Sequence, residues 1–258
     1  MNKTSISEIK MKAKDNLLGY YGLTAGSFAL LFALIYALAM ILIGAMGKGM
    51  GIEEIETGNL TIASRIARIG VSAVIGIFSS LLTVGFYRMI MEISYDRRPK
   101  QRELFYCFYN HPDKVIIIYV ILTVIKYVFM LPSQFVSWSS DKLMESGEAK
   151  KFLLWVVLIL IGIVLDIVVS VMFCFTYLIY IDDPDMSIKD MLFCSAKLMK
   201  GNALRYIYMV LSFIGHYMLS ALSLGIGFLY VVPYQSMAMV EFYKDALKCA
   251  GSGENHED

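Results

Sequence analysis

"LILIGIVLDIVVSVMF" (residues 158–173) is apolar along almost its whole length and carries one carboxylate, Asp166, near its middle. Such a run is typical of a helix that crosses a membrane, because about 20 apolar residues at a rise of about 1.5 Å each cover a hydrocarbon core about 30 Å thick. The composition of the whole chain is also typical of a membrane protein, since 58% of its 258 residues are hydrophobic and only 17% are charged. That composition is unusual for a water-soluble domain. We therefore expect a multi-pass protein of the cell membrane.

Six segments pass this test of length and apolarity, and each predicts one membrane-spanning helix: 20–46, 70–93, 113–138, 152–181, 203–223 and 227–246. Only "SLGIG" (223–227) separates the last two, and we interpret it as a tight hairpin, with a re-entrant break as the alternative. The sequence therefore predicts an all-α fold, a polytopic bundle of six transmembrane helices that forms one domain over residues 1–250. A disordered polar tail is expected at 251–258.

The loops between the predicted spans differ in charge. Most lysines and arginines outside the spans fall on the side that carries both termini, whereas the opposite side has fewer, mixed with acids such as Glu54 and Glu145. Because positively charged loops stay in the cytoplasm, both termini are predicted to be cytoplasmic. The net charge of +1 gives no reason to expect binding to nucleic acid.

Three amphipathic segments each precede a pair of predicted spans and cover residues 5–22, 99–112 and 187–202. In the first and the last, a serine and an acid three residues later have the spacing of a helix capping box: Ser5 with Glu8, and Ser187 with Asp190. The pattern predicts a threefold repeat of one interfacial helix followed by two spans.

Basic residues on and near these segments indicate contact with the lipid surface. The expected contacts with anionic lipids of the inner leaflet are Lys10, Lys14, Arg97, Arg98, Lys189, Lys197 and Lys200. Each such charge is worth about 1 kcal/mol close to an anionic membrane. The alternative interpretation is that the amphipathic helices only seal the cytoplasmic ends of the bundle.

Three ionisable residues, Lys126, Asp166 and His216, fall inside predicted spans. Each lies roughly 20 Å from the cytoplasmic end of its span, so the three share one layer. A lone charge at that depth costs roughly 3 kcal/mol, and we therefore expect Lys126 and Asp166 to face each other. One interpretation is a structural ion pair. The other is a proton or ion relay in which His216 takes part.

A second candidate site lies in the stretch "GIGFLYVVPYQS" (225–236), where glycine and proline interrupt an otherwise apolar span. Such interruptions free backbone polar groups, and broken helices of this kind line the binding sites of some transporters. A plain kink is the alternative. The candidate ligand contacts are Gly225, Gly227, Pro233, Tyr234 and Gln235.

Four short motifs lie in the last third of the chain: "SAKLMKGN" (195–202), "LSFIG" (211–215), "PY" (233–234) and "FY" (242–243). In these features the chain resembles domain-of-unknown-function family 975, bacterial integral membrane proteins. "AKDNLLGYYG" (13–22) is similar to the opening of that family, so the resemblance covers nearly the whole chain. His216 departs from the family pattern, which has tryptophan after "FIG". The resemblance implies topology and a membrane location, and no activity.

The motifs of several enzyme classes are absent from the sequence, which has no HExxH, no GxSxG and no Walker loop. Its cysteines and histidines lack metal-ligand spacing. We expect no enzymatic activity, no cofactor and no metal. The favoured function is a non-enzymatic membrane scaffold or a module that handles lipids or other hydrophobic molecules, with the bilayer and its anionic lipids as partners. The alternative is a proton- or ion-coupled secondary carrier. A membrane protein partner and a homo-oligomer both stay open.

Overall fold

The computed structural model describes residues 3–49, 62–139 and 149–254, and every regular element in these ranges is a helix. The predicted all-α class is therefore confirmed. Contacts divide the chain into two compact units. The first consists of Met1–Ile116 with Tyr208–Asp258, and the second of Ile117–Ile207.

The helices follow one another in chain order. They are α1 (Ile6–Leu17), α2 (Tyr21–Gly49), α3 (Ile62–Ser94), a 3₁₀ helix (Gln101–Phe105), α4 (Tyr106–Tyr109), α5 (Pro112–Ser139), α6 (Ala149–Met172), α7 (Thr176–Asp182), α8 (Ile188–Met199), α9 (Ala203–Leu211), α10 (Ile214–Leu222) and α11 (Phe228–Glu254). The predicted tail at 251–258 is helical as far as Glu254, and residues 255–258 lie outside the described part of the chain.

Helix α11 is the centre of the first unit and packs against α1, α2, α3 and α10. Its side chains Met237, Val240 and Phe242 are fully buried, as are Leu82 and Met89 of α3. Every residue from 236 to 243 is buried, so this part of α11 is enclosed by its neighbours on all sides. This core joins the N-terminal helices to the C-terminal helix.

Helix α1 begins at the predicted capping box, where the hydroxyl of Ser5 accepts a hydrogen bond from the backbone N–H of Glu8. Its apolar stripe, Ile9, Ala13 and Leu17, is buried against the rest of the unit. The stripe therefore packs on protein, as the end-sealing interpretation expects.

The amphipathic segment predicted at 99–112 is not one continuous helix. It forms the 3₁₀ helix and the single turn α4, while Pro112 opens α5 at the first helical position. The 3₁₀ helix packs on α3 at Gly85, where a Cβ would lie 2.0 Å from the carbonyl oxygen of Leu104. A residue without a side chain is thus required for this approach.

Residues 223–227 form the hairpin expected between the last two predicted spans, and α10 and α11 pack against each other. Leu224 and Gly225 both have positive φ angles, and the N–H of Gly225 bonds to the carbonyl of Ser220. Gly227 approaches so closely that a Cβ would lie 2.6 Å from Ser220. Glycine at these two positions makes the tight turn sterically possible.

In the second unit, α8 packs against α6 and α7. Helix α8 begins at the predicted capping box of Ser187 and Asp190 and buries Met191, Leu198 and Met199. The span predicted at 152–181 is interrupted after Met172, whose carbonyl accepts a hydrogen bond from Ser195 at 2.9 Å. A side chain of α8 therefore satisfies one of the carbonyl groups left open at the end of α6.

Within the part of the chain that the structure describes, three helical stretches are long and apolar enough to cross a membrane: Tyr21–Met46, Ile66–Ser94 and Leu153–Asp182. Their exposed large apolar side chains, such as Phe32, Ile41 and Leu160, are suited to contact with lipid. The predicted span 203–223 consists of the two short helices α9 and α10. The predicted span 227–246 belongs to α11, which also carries the charged residues Glu241 and Lys244.

Candidate functional site

Lys126 and Asp166 meet in the second unit, as their depth in the sequence predicts. Nζ of Lys126 lies 3.5 Å from Oδ1 of Asp166. The two side chains are 40% and 35% exposed, so the protein does not enclose them. Neighbours along the same helices, Tyr127 and Ile167, are also exposed. In a bilayer this pair would neutralise both charges at a lipid-facing surface.

His216 belongs to the first unit, on α10. Its ring centroid lies 5.7 Å from that of Phe213 and 6.1 Å from that of Tyr234. Its carbonyl oxygen accepts a hydrogen bond from Ser220 at 2.8 Å. The half-buried imidazole thus sits among aromatic rings, and its part in the predicted polar layer stays a prediction.

The candidate ligand contacts of residues 225–235 are occupied by the protein itself. Helix α11 continues through Pro233, so no break occurs at that residue. The hydroxyl of Tyr234 donates to the carbonyl oxygen of Lys10 at 3.2 Å, and the amide oxygen of Gln235 accepts a hydrogen bond from Tyr217. Gly225 and Gly227 serve the hairpin turn. The segment connects α10 to α11, and ligand binding at these residues stays a prediction.

The cations expected at the inner leaflet divide into two groups. Lys10 is turned inward, with Nζ 4.4 Å from the ring centroid of Phe213 and 3.1 Å from Oγ of Ser212. Burial lowers the pKa of Lys10 below its ordinary value. The others are exposed: Lys14, Arg97, Arg98, Lys189, Lys197 and Lys200. Arg97 also pairs with Glu92 at 3.3 Å.

A buried polar cluster, which the sequence did not reveal, ties three helices together around Glu241 of α11. Oε1 of Glu241 accepts hydrogen bonds from Nδ2 of Asn16 in α1 at 3.0 Å and from Oγ of Ser94 in α3. Nζ of Lys244 lies 3.1 Å from the same oxygen and donates to the carbonyl of Ser94 at 2.9 Å. The carboxylate, which is 9% exposed as a side chain, is therefore paired and hydrogen-bonded from all three helices.

A small cavity of about 170 Å³ adjoins this cluster at the start of α1. Its polar lining mixes cations and acids, namely Lys12, Glu241, Lys244, Asp245 and Lys248. The hydroxyl of Thr4 donates to Oδ1 of Asp245. Because its charges are mixed and its volume is small, we interpret this cavity as part of the contact between the start of α1 and α11.

A larger cavity of about 540 Å³ lies where α3, the 3₁₀ helix and α4 meet. Arg88 pairs through Nε with Oε2 of Glu103 at 3.2 Å, and its guanidinium lies 3.6 Å above the ring of Tyr106. Arg102, Tyr109 and Asn110 complete the lining. Glu92, four residues after Arg88 on the same helix, pairs with Arg97 and not with Arg88. We name this site the Arg88 pocket.

Burial raises the pKa of two thiols outside the predicted spans. Burial raises the pKa of Cys107 to about 12, although the charge of Arg88 partly opposes this. Burial likewise raises the pKa of Cys194, in opposition to Lys197. Since the thiolate is the nucleophile of cysteine chemistry, Cys107 is not suited to act as one near neutral pH.

Comparison with known proteins gives a family and no closer relative. A family model described as "Protein of unknown function (DUF975)" matches residues 1–249. No curated protein matches the chain, and no solved structure does. The family description supplies no substrate, partner or reaction for the geometry above.

Proposed function

Because this chain belongs to the DUF975 family, which is of unknown function, we propose a function from the geometry of the chain itself. The protein is a multi-pass protein of the cell membrane with six spans in three repeats and both termini in the cytoplasm. It acts without catalysis, as a scaffold that binds anionic lipids of the inner leaflet.

The cluster around Glu241 is the observation that carries this proposal. It fixes α1 to α3 and α11 through Asn16, Ser94 and Lys244. With its apolar stripe packed on the bundle, α1 directs Lys12 and Lys14 outward. A rigid helix with outward cations is suited to hold anionic headgroups at the surface, whereas the polar groups within the cluster already satisfy one another.

The test is thermal unfolding of the full-length protein in nanodiscs of anionic or neutral phospholipid. A lipid that binds only the native state raises the melting temperature. We expect a higher melting temperature in anionic discs and a smaller difference as salt rises, because salt screens exposed charges. Equal melting temperatures in both discs at low salt would contradict lipid binding.

The second candidate function is a proton- or ion-coupled carrier, which the Lys126–Asp166 pair favours. Ionisable residues inside spans are frequent parts of proton relays. Proteoliposomes that contain a pH-sensitive dye test this directly. A carrier would collapse a proton gradient and lose that activity on Asp166→Asn, whereas a scaffold would leave the gradient unchanged in both proteins.

A further inference from the structure

The Arg88 pocket lies at the depth of lipid phosphate. In α3, residues 69–87 carry no charge, and Arg88 ends this uncharged run. Nineteen residues at about 1.5 Å each give roughly 28 Å, close to the thickness of a hydrocarbon core. If that run spans the core, Arg88 stands at its boundary, where the phosphates of one leaflet lie. The loop that follows, residues 95–100, belongs to the predicted cytoplasmic side.

The pocket has the chemistry of an anion site rather than of a simple ion pair. Glu103 contacts Arg88 through Nε alone, and Tyr106 supports the flat face of the guanidinium. A side chain held in this way can present its terminal nitrogens in a fixed direction, and planar guanidinium groups bind phosphate well. Arg102 adds a second positive charge beside Glu103, so the lining is positive overall.

The aromatic residues of α4 connect this pocket to the apolar region. Phe108 is 37% exposed and its ring lies 5.8 Å from that of Phe78, ten residues before Arg88 in the uncharged run. Tyr109, which lines the pocket, is 82% exposed. Aromatic side chains with this placement are typical of the membrane interface, where rings contact acyl chains and polar ends contact headgroups.

We propose that the Arg88 pocket binds the phosphate of one anionic phospholipid from the inner leaflet, held by Arg88 and Arg102, with its acyl chains beside Phe108. This proposal rests on the proposed function, in that both concern anionic lipids. It adds a discrete site of defined composition on α3 and α4, separate from the outward cations of α1 and α8.

Native mass spectrometry of the full-length protein, released from nanodiscs of mixed phosphatidylglycerol and phosphatidylcholine, tests the site. We compare Arg102→Gln with Lys100→Gln, because both remove one exposed cation from the same segment and only Arg102 lines the pocket. A charge-assisted contact is worth roughly tenfold in affinity. We therefore expect roughly tenfold less retained phosphatidylglycerol for Arg102→Gln and nearly wild-type retention for Lys100→Gln.

A second arm distinguishes lipid from soluble phosphate. Glycerol phosphate is added to the protein in neutral detergent, and its ability to displace phosphatidylglycerol is measured. Little displacement at millimolar concentration is expected, because glycerol phosphate has no acyl chains to contact Phe108. Displacement as effective as that by a short-chain phosphatidylglycerol would overturn the lipid assignment.

The outcomes separate this site from the broader function. Equal losses for the two variants, or no loss for either, would overturn the pocket while anionic discs still raise the melting temperature. The proposed function would be overturned as well if the wild-type protein had equal melting temperatures in anionic and neutral discs and retained no phosphatidylglycerol. Unchanged unfolding of Arg102→Gln in neutral discs shows that the variant is folded.

Discussion

At the scale of single residues, the charged side chains Lys126, Asp166 and Glu241 in the apolar helices each contact an oppositely charged group. Lys126 and Asp166 lie 3.5 Å apart, and Glu241 is met by Asn16, Ser94 and Lys244. The depth of Lys126 and Asp166 follows from the constant rise of a helix, so their meeting could be predicted. Two partners of Glu241, Asn16 in α1 and Ser94 in α3, are far away in sequence and cannot be identified from helical spacing. Only Lys244, three residues later in α11, can be.

Replacing Asp166 with Asn should destabilise the protein by about 3 kcal/mol, because the ammonium of Lys126 then lacks its counterion in an apolar setting. Replacing both residues with leucine should restore most of that loss, since both desolvation penalties disappear. The measurement is thermal unfolding in nanodiscs for Asp166→Leu, Lys126→Leu and the double leucine variant, analysed as a double-mutant cycle. A coupling energy near zero would contradict a structural pair.

Gly85→Ala should destabilise the first unit by about 1–3 kcal/mol, because its Cβ would overlap the carbonyl of Leu104 and displace the 3₁₀ helix. Gly70→Ala is the matched control in the same helix. Its Cβ would meet no atom within 4 Å, so a neutral or slightly stabilising effect is expected. Calorimetry of both variants gives their melting temperatures. Equal values would argue against the close approach of the 3₁₀ helix to α3 at Gly85.

Cys107 should resist alkylation in the folded protein at pH 8. With a pKa of about 12, its thiolate fraction is on the order of 10⁻⁴, and the side chain is fully buried. The same shift contributes stability below the ordinary thiol pKa of 9.0, and this contribution is lost as the pH rises towards 12. Mass spectrometry after iodoacetamide treatment checks the first point. Rapid labelling of native protein would refute it.

At the scale of helices, the beginnings of α1 and α8 could be predicted because a capping box is a local signal that needs only four residues. The interruptions after Met172 and Leu211 could not. Neither proline nor glycine stands between α6 and α7 or between α9 and α10. The carbonyl of Met172 accepts a hydrogen bond from Ser195 of another helix, and the sequence around Met172 does not indicate this contact.

Glu241→Gln should loosen α1, because Lys244 loses its counterion and the hydrogen bonds of Asn16 and Ser94 lose a charged acceptor. A loss of about 2–4 kcal/mol is expected. Glu8→Gln is the control: it removes an exposed acid whose contact with Lys12 is 3.8 Å long, so a change below about 0.5 kcal/mol is expected.

Hydrogen exchange of residues 6–17 in both variants provides the measurement. Protection should fall for Glu241→Gln and stay close to the wild-type level for Glu8→Gln. If the two variants exchange alike, the cluster does not hold α1 in place.

At the scale of the whole molecule, composition alone predicts the all-α class, since few other folds accommodate 58% hydrophobic residues. The division of contacts into two units could not be predicted, because the first unit joins residues 1–116 to 208–258 across most of the sequence. Hydropathy describes each span separately and contains no information about which spans pack together.

Cysteine labelling in intact cells should reach positions beside Glu54 and Glu145 from outside. Positions beside Lys10, Lys100 and Lys200 should react only after the membrane is opened, because the positive loops stay in the cytoplasm. A single introduced cysteine at each position, on a background without native cysteines, gives the measurement. Access to the position beside Glu145 from the cytoplasm alone would rule out six spans.

The central place of α11 has a consequence for synthesis. Ile9, Ala13 and Leu17 of α1 are synthesised well before α11, the helix against which α1 packs. At a ribosomal rate of about 5–20 residues per second, the interval between residues 116 and 208 lasts roughly ten seconds. During that interval α1 lacks the helix that covers its apolar stripe in the folded protein. A fragment that ends before residue 228 would therefore lack the helix against which α1 packs. We expect such a fragment to be degraded rather than to accumulate.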